Sequence, residues 1–91
     1  MGLPITQVGA TVNLSATGDV TTVGTSLIGF YVNSTNAGTL VLKKGGSSGT
    51  ALGGTITPAI GYHPFPASAP GGLHATIAGT ALNVTFFYTE A

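Results

Sequence analysis

The stretch ALNVTFFYTE, residues 81–90, alternates apolar and polar side chains with a period of two. Alternate positions from 82 to 88 carry Leu, Val, Phe and Tyr, and the positions between them carry Asn, Thr and a second Phe. Successive side chains of a β-strand point to opposite faces of the sheet, and branched and aromatic residues favour that conformation. The stretch therefore predicts a strand that buries Leu82, Val84, Phe86 and Tyr88.

The same period occurs in three further stretches, SLIGFYVN (26–33), GTLVLKK (38–44) and GLHATIAG (72–79). In the first of these, Ile28, Phe30 and Val32 are predicted to share one face. The opposite face is predicted to carry Leu27, Gly29, Tyr31 and Asn33. In the third, His74 falls opposite the apolar positions and is predicted to be exposed or to lie at an interface. Two weaker strands are predicted at QVGATVNL (7–14) and TALGGTITPA (50–59).

Turn residues separate these strands. STNAG (34–38) predicts a hairpin between 26–33 and 39–44, TGD (17–19) and AGTA (78–81) predict turns, and KKGGSSG (43–49) predicts a flexible link. Fifteen Gly and five Pro are distributed along the chain, which disfavours helix. The chain is therefore predicted to form one all-β domain over 1–91. The expected architecture is an antiparallel β-sandwich or jelly roll of about seven to eight short strands.

Only Asp19, Lys43, Lys44 and Glu90 are charged, which is 4% of the chain against about 25% in ordinary domains. So few basic residues argue against nucleic-acid binding and against attachment to a membrane surface. An uncharged surface promotes association, and a core this small is marginal by itself. Since the chain has no Cys to form disulfides, self-association is the stabilising device that the composition predicts.

The motifs that could indicate chemistry do not form a catalytic site. GGSSG (45–49) matches the nucleophile elbow around Ser47, but that mechanism needs a following helix and then an acid and a histidine in order. His63 and His74 have no adjacent acid, whereas a metal site needs three or four converging ligands. We therefore expect no enzyme activity, no metal and no cofactor.

GYHPFPASAPGG (61–72) is the one segment typical of recognition. Pro64 and Pro66 fix φ on both sides of Phe65 and favour an extended backbone there. A rigid aromatic loses little entropy on binding and suits an interface. The alternative is that Phe65 closes the core of its own domain. The interface hypothesis includes Tyr62, His63, Pro64, Phe65 and Pro66.

Residues 1–8 are predicted to form an arm or edge strand that reaches a neighbouring subunit. Leu3 and Ile5 are apolar but precede the first turn signal. Pro4 between them disfavours a central position in a sheet. Leu3 and Ile5 are therefore further predicted interface residues.

The segments GTLVLKKGGSSGTAL, the Pro/Phe loop and GLHATIAGTALNVTFFY together resemble the small β-proteins of tailed bacteriophage virions. The resemblance covers residues 38–88 best. It implies a capsid decoration (cement) protein, commonly trimeric, that binds the major capsid protein on the virion surface after synthesis in the host cytoplasm. It implies no catalytic residues. A tail, fibre or other adhesive module that binds a host-surface glycan is the alternative function.

Overall fold

The structure, a computed structural model, describes residues 10–90. Its six strands form one antiparallel sheet, and no helix occurs in the described residues. The predicted all-β, antiparallel class is confirmed. The strands are β1 (Ala10–Leu14), β2 (Gly18–Asp19), β3 (Thr25–Lys44), β4 (Thr50–Ala51), β5 (Gly61–Ala69) and β6 (Leu73–Glu90).

Two long strands organise the sheet. β3 has 20 residues and β6 has 18, and they pair along their whole length, from Thr25 opposite Glu90 to Lys44 opposite Leu73. The first half of β3 also pairs with β5 and its end with β4. β6 pairs with β2 near its start and with β1 near its end. The sheet thus has two halves, with strand orders β1-β6-β3-β5 and β2-β6-β3-β4.

The predicted hairpin between 26–33 and 39–44 is wrong, because both segments belong to β3 and neither pairs with the other. Residues 34–38 instead bend β3, while 79–81 bend β6 beside them. The pairing register is irregular from Val32 to Thr39, as expected where bulges bend a sheet. Ala37 and Ala81 have φ of 57° and 61°, and Gly79 has φ of 90°. The turn signals at STNAG and AGTA therefore mark a corner shared by two strands.

The core lies on the concave side of this curled sheet, consistent with a small β-sandwich. Leu82, Val84, Phe86 and Tyr88 are buried as predicted. Together with the buried side chains of β3 they form one apolar cluster, and connecting segments add to it. The connecting residues that contact the cluster are Val20, Leu52 and Ile56.

A bulge in β3 makes one part of the predicted faces of residues 26–33 wrong. Leu27 is buried with Phe30 and Val32, although simple alternation places it opposite them. The register with both β5 and β6 shifts between Leu27 and Gly29. The shift moves Ile28 out of the alternation, so that Leu27 reaches the core side.

GYHPFPASAPGG is largely not a loop, since Gly61–Ala69 is the edge strand β5. The extended backbone predicted at Phe65 is confirmed. Proline is tolerated at a sheet edge because no further strand needs its missing N–H.

The predicted arm at 1–8, with Leu3 and Ile5, lies outside the described residues. Within 10–90, no helix is long and apolar enough to cross a membrane.

Candidate functional site

The convex side of the β1-β6-β3-β5 half, which we call the outer face, gathers aromatic and amide side chains in two rows. Residues directly opposite on antiparallel strands point to the same face. One row runs Asn13, Thr85, Tyr31, Tyr62 across four strands. The next row runs Thr11, Phe87, Gly29, Pro64.

Gly29 leaves room for the ring of Tyr62. A Cβ built at Gly29 would lie 2.5 Å from the Tyr62 Oη and 2.9 Å from its Cζ. The ring of Tyr62 therefore lies against the backbone of β3, and its centroid is 5.9 Å from that of Phe87 in an edge-on arrangement. Tyr62 is 47% exposed and Tyr31 is 41% exposed. The result is an aromatic surface held along the sheet.

An amide cluster adjoins the tyrosines. The Nδ2 of Asn13 donates to Asn83 Oδ1 at 2.8 Å and to Thr85 Oγ1 at 3.0 Å. The Nδ2 of Asn33 donates to the same two oxygens, each at 3.0 Å. Asn83 Oδ1 and Thr85 Oγ1 therefore each accept two hydrogen bonds, and the bonds hold all four side chains in fixed orientations.

No charged side chain belongs to the outer face as the described residues define it. Asp19, Lys43 and Lys44 lie in the other half of the sheet. Glu90, the last residue of β6, lies on the same side of the strand as Phe86 and Tyr88, away from the outer face. Electrostatic attraction of a charged ligand is therefore not what this face provides.

The predicted interface residues of β5 divide between two sides of the sheet. Tyr62, Pro64 and Pro66 are exposed, whereas His63 and Phe65 point inward. The ring of Phe30 lies 5.2 Å from that of His63 and 6.2 Å from that of Phe65. Phe65 is partly buried against the core. That these residues contact a subunit or a capsid protein stays a prediction.

His74 and Asp19 form a second polar cluster, in the other half of the sheet. His74 is only 5% exposed, so the prediction of an exposed or interfacial histidine is wrong. The reason is β2, where a turn was predicted: Asp19 lies opposite His74 and its Oδ1 is 2.8 Å from His74 Nδ1. On the other side of β6, His74 is paired with Lys43 of β3. Sheet neighbours on both sides thus cover the imidazole.

The carboxylate of Asp19 fixes which nitrogen of His74 carries a hydrogen, since a carboxylate can only accept. Nδ1 donates to Asp19, and Nε2 is buried without a hydrogen-bond partner among the described residues. Asp19 also lines an open cavity of about 230 Å³ with Thr21, Thr22, Gly45, Gly46 and Gly71. His74 does not line this cavity, and no cluster of three metal-ligating side chains occurs within 10–90.

Asp19→Ala is expected to lower the free energy of unfolding by about 1–3 kcal/mol, because it leaves the buried Nδ1–H of His74 without an acceptor. Asp19→Asn retains an acceptor oxygen and is expected to cost about 1 kcal/mol or less. Urea denaturation of both variants measures the difference. Equal losses in the two variants would mean that the hydrogen bond to His74 contributes nothing.

Sequence reasoning did not find the aromatic and amide cluster. Alternation places Tyr31 and Asn83 outward one strand at a time, but their proximity requires the pairing of β3 with β6. The cluster is completed only when β1 and β5 add Asn13 and Tyr62. The signal that was available is Gly29 within SLIGFYVN, since a glycine inside a strand often marks a close approach.

Comparisons with protein-family models, curated proteins and solved structures found no match to this chain.

Proposed function

We propose that the chain is a non-enzymatic structural protein of a tailed-phage virion, a decoration or cement protein that self-associates and binds the major capsid protein. The observation that carries the proposal is that neither edge of the β1-β6-β3-β5 half has a charged residue. Sheets of free monomers normally protect their edges with devices such as charge or proline, and β1 has neither of these. An unprotected edge is suited to burial in an assembly.

The β1 edge offers backbone groups to a neighbour. In an antiparallel pair, alternate residues direct N–H and C=O away from the partner strand. Ala10–Leu14 pairs only with β6 among the described residues, and no other backbone hydrogen bond is formed by β1 there. β1 can therefore accept a strand from a second chain.

The β5 edge offers side chains instead. Pro64 and Pro66 have no N–H, so a strand added to β5 would lack regular hydrogen bonds. Their exposed rings, with the exposed part of Phe65 between them, form an apolar rim. A head-to-tail contact would pack this rim against a different surface of the next copy, and such contacts can close into rings. A ring of three copies would be the trimer that the resemblance implies.

Thr11→Lys, at an exposed position of β1, is expected to reduce self-association because it places a charge on the edge strand beside which a neighbouring strand would pack. Light scattering at micromolar protein concentration should show the mass of the wild-type oligomer fall towards that of one chain. Ser48→Lys is the matched control, since it adds the same charge at an exposed position between strands. Wild-type protein that is a stable monomer would contradict self-association.

The virion assignment is tested by purifying particles from a lysate that produces this chain. The expected result is that the chain copurifies with particles in a fixed ratio to the major capsid protein. Its absence from purified particles, with self-association intact, would overturn the virion assignment and leave a self-associating protein of another system.

A further inference from the structure

We infer that the outer face is a binding site for a neutral polysaccharide. This inference goes beyond the proposed function, because it assigns ligand binding to a face of the sheet, whereas assembly is assigned to the strand edges. Thr11 and Pro64 border both regions. It rests on the aromatic surface around Tyr62, on the amide groups beside it, and on the lack of charge.

The aromatic part can bind the C–H face of a sugar ring. Aromatic rings have a negative face, and weak C–H contacts to such groups are favourable. The hydroxyl end of the Tyr62 ring lies over Gly29, and the ring of Phe87 packs against that of Tyr62 at an interplanar angle of 60°. Tyr31, opposite Tyr62 on β3, extends the aromatic surface towards the amide cluster. Since these contacts already fix Tyr62, binding would lose little side-chain entropy.

The amide part can bind hydroxyl groups. A side-chain amide has an acceptor oxygen and two N–H donors. Asn13 and Asn33 use their nitrogens within the cluster, so each has an Oδ1 with no hydrogen-bond partner in the described residues. Asn83 uses its oxygen, so its Nδ2 remains to donate. Acceptors and a donor thus lie side by side, which suits hydroxyl groups that both donate and accept.

The class of sugar follows from charge. A sulfated or uronic-acid polymer is bound through Lys or Arg, and neither residue lies on the outer face. Neutral polymers need only stacking and uncharged hydrogen bonds. A protein partner would need to supply groups matching all the free amide atoms, because unpaired buried polar groups are costly.

The test is retention of full-length protein on affinity gels that contain dextran or galactomannan, with heparin as the anionic probe. Wild-type protein should be retarded by at least one neutral polymer and not by heparin. Tyr62→Ala is expected to weaken binding by about tenfold or more, which corresponds to about 1.4 kcal/mol. Tyr62→Phe keeps the ring and should bind within a few-fold of wild type.

A second variant separates ligand contact from folding. Asn83→Asp keeps an oxygen that accepts from Asn13 and Asn33 but removes the free Nδ2 donor, so binding should fall while circular dichroism stays unchanged. Asn36→Asp adds the same charge at an exposed corner position and should bind as wild type. No binding to either neutral polymer, or equal binding by Tyr62→Ala, would overturn the inference. Loss of the oligomer in Tyr62→Ala would also overturn it, because the outer face would then be a protein interface.

Discussion

Phe86→Ala is expected to lower the free energy of unfolding by about 3–5 kcal/mol, the range for emptying a buried phenylalanine site. Phe86 is fully buried in the part of β6 that pairs with β1, and its ring centroid is 6.1 Å from that of its cross-strand partner Phe30. Rigid neighbours on both long strands limit how far the cavity can collapse. Urea denaturation measures the loss. Both proteins are compared at one protein concentration, because self-association makes the measured stability depend on concentration.

Phe65→Ala is the matched control, since Phe65 contacts the same Phe30 ring from the edge strand and is only partly buried. Removing it is expected to cost about 1–2 kcal/mol, a fraction of the value for full burial. If Phe65 is also an interface residue, as the sequence predicts, the variant should in addition lower the oligomer mass. A loss as large as that of Phe86→Ala would instead make Phe65 a full member of the core.

The contrast between Phe86 and Phe65 shows which features of the fold the alternation of apolar and polar residues can predict. In 81–90 each inward side chain was predictable, because β6 is regular there and one face is covered. In β5 the alternation of Tyr62, His63 and Phe65 is equally regular and the prolines favoured an extended backbone, but neither signal predicted that the segment pairs as a strand. Edge position makes those prolines acceptable, and edge position depends on which strands pair. That information is not local to the segment.

His74 illustrates a second limit. Its strand position was predicted correctly, but its exposure was not, because burial depends on a two-residue strand. Gly18–Asp19 is too short to show any period, and its residues also favour turns. The outer face has the same limitation. Tyr31 and Asn13 are 18 positions apart in the chain, and only the pairing of both strands with β6 places them in one row, on either side of Thr85.

Local turn signals were most misleading at the corner formed by residues 34–38 of β3 and 79–81 of β6. The second large effect on stability is expected at this corner. Gly79→Ala is expected to lower the free energy of unfolding by about 2–4 kcal/mol. Gly79 has φ of 90°, and a Cβ there would lie 2.9 Å from the Cα of Gly38 on the adjacent strand. Strained backbone costs about 1–3 kcal/mol, and overpacking costs a similar amount. The added methyl group would meet backbone, which cannot rotate away as a side chain can.

Ala81→Gly tests whether this cost arises from the close approach of β3 and β6 or from any change at the corner. Ala81 already has a left-handed φ of 61°, so glycine would relieve strain in the folded chain while adding entropy to the unfolded chain. These opposing effects should keep its stability within about 1 kcal/mol of wild type. If Gly79→Ala is equally mild, then β3 and β6 can separate at the corner without loss. The bend would then be a flexible turn, as STNAG and AGTA suggest locally, and not a fixed junction between the two halves of the sheet.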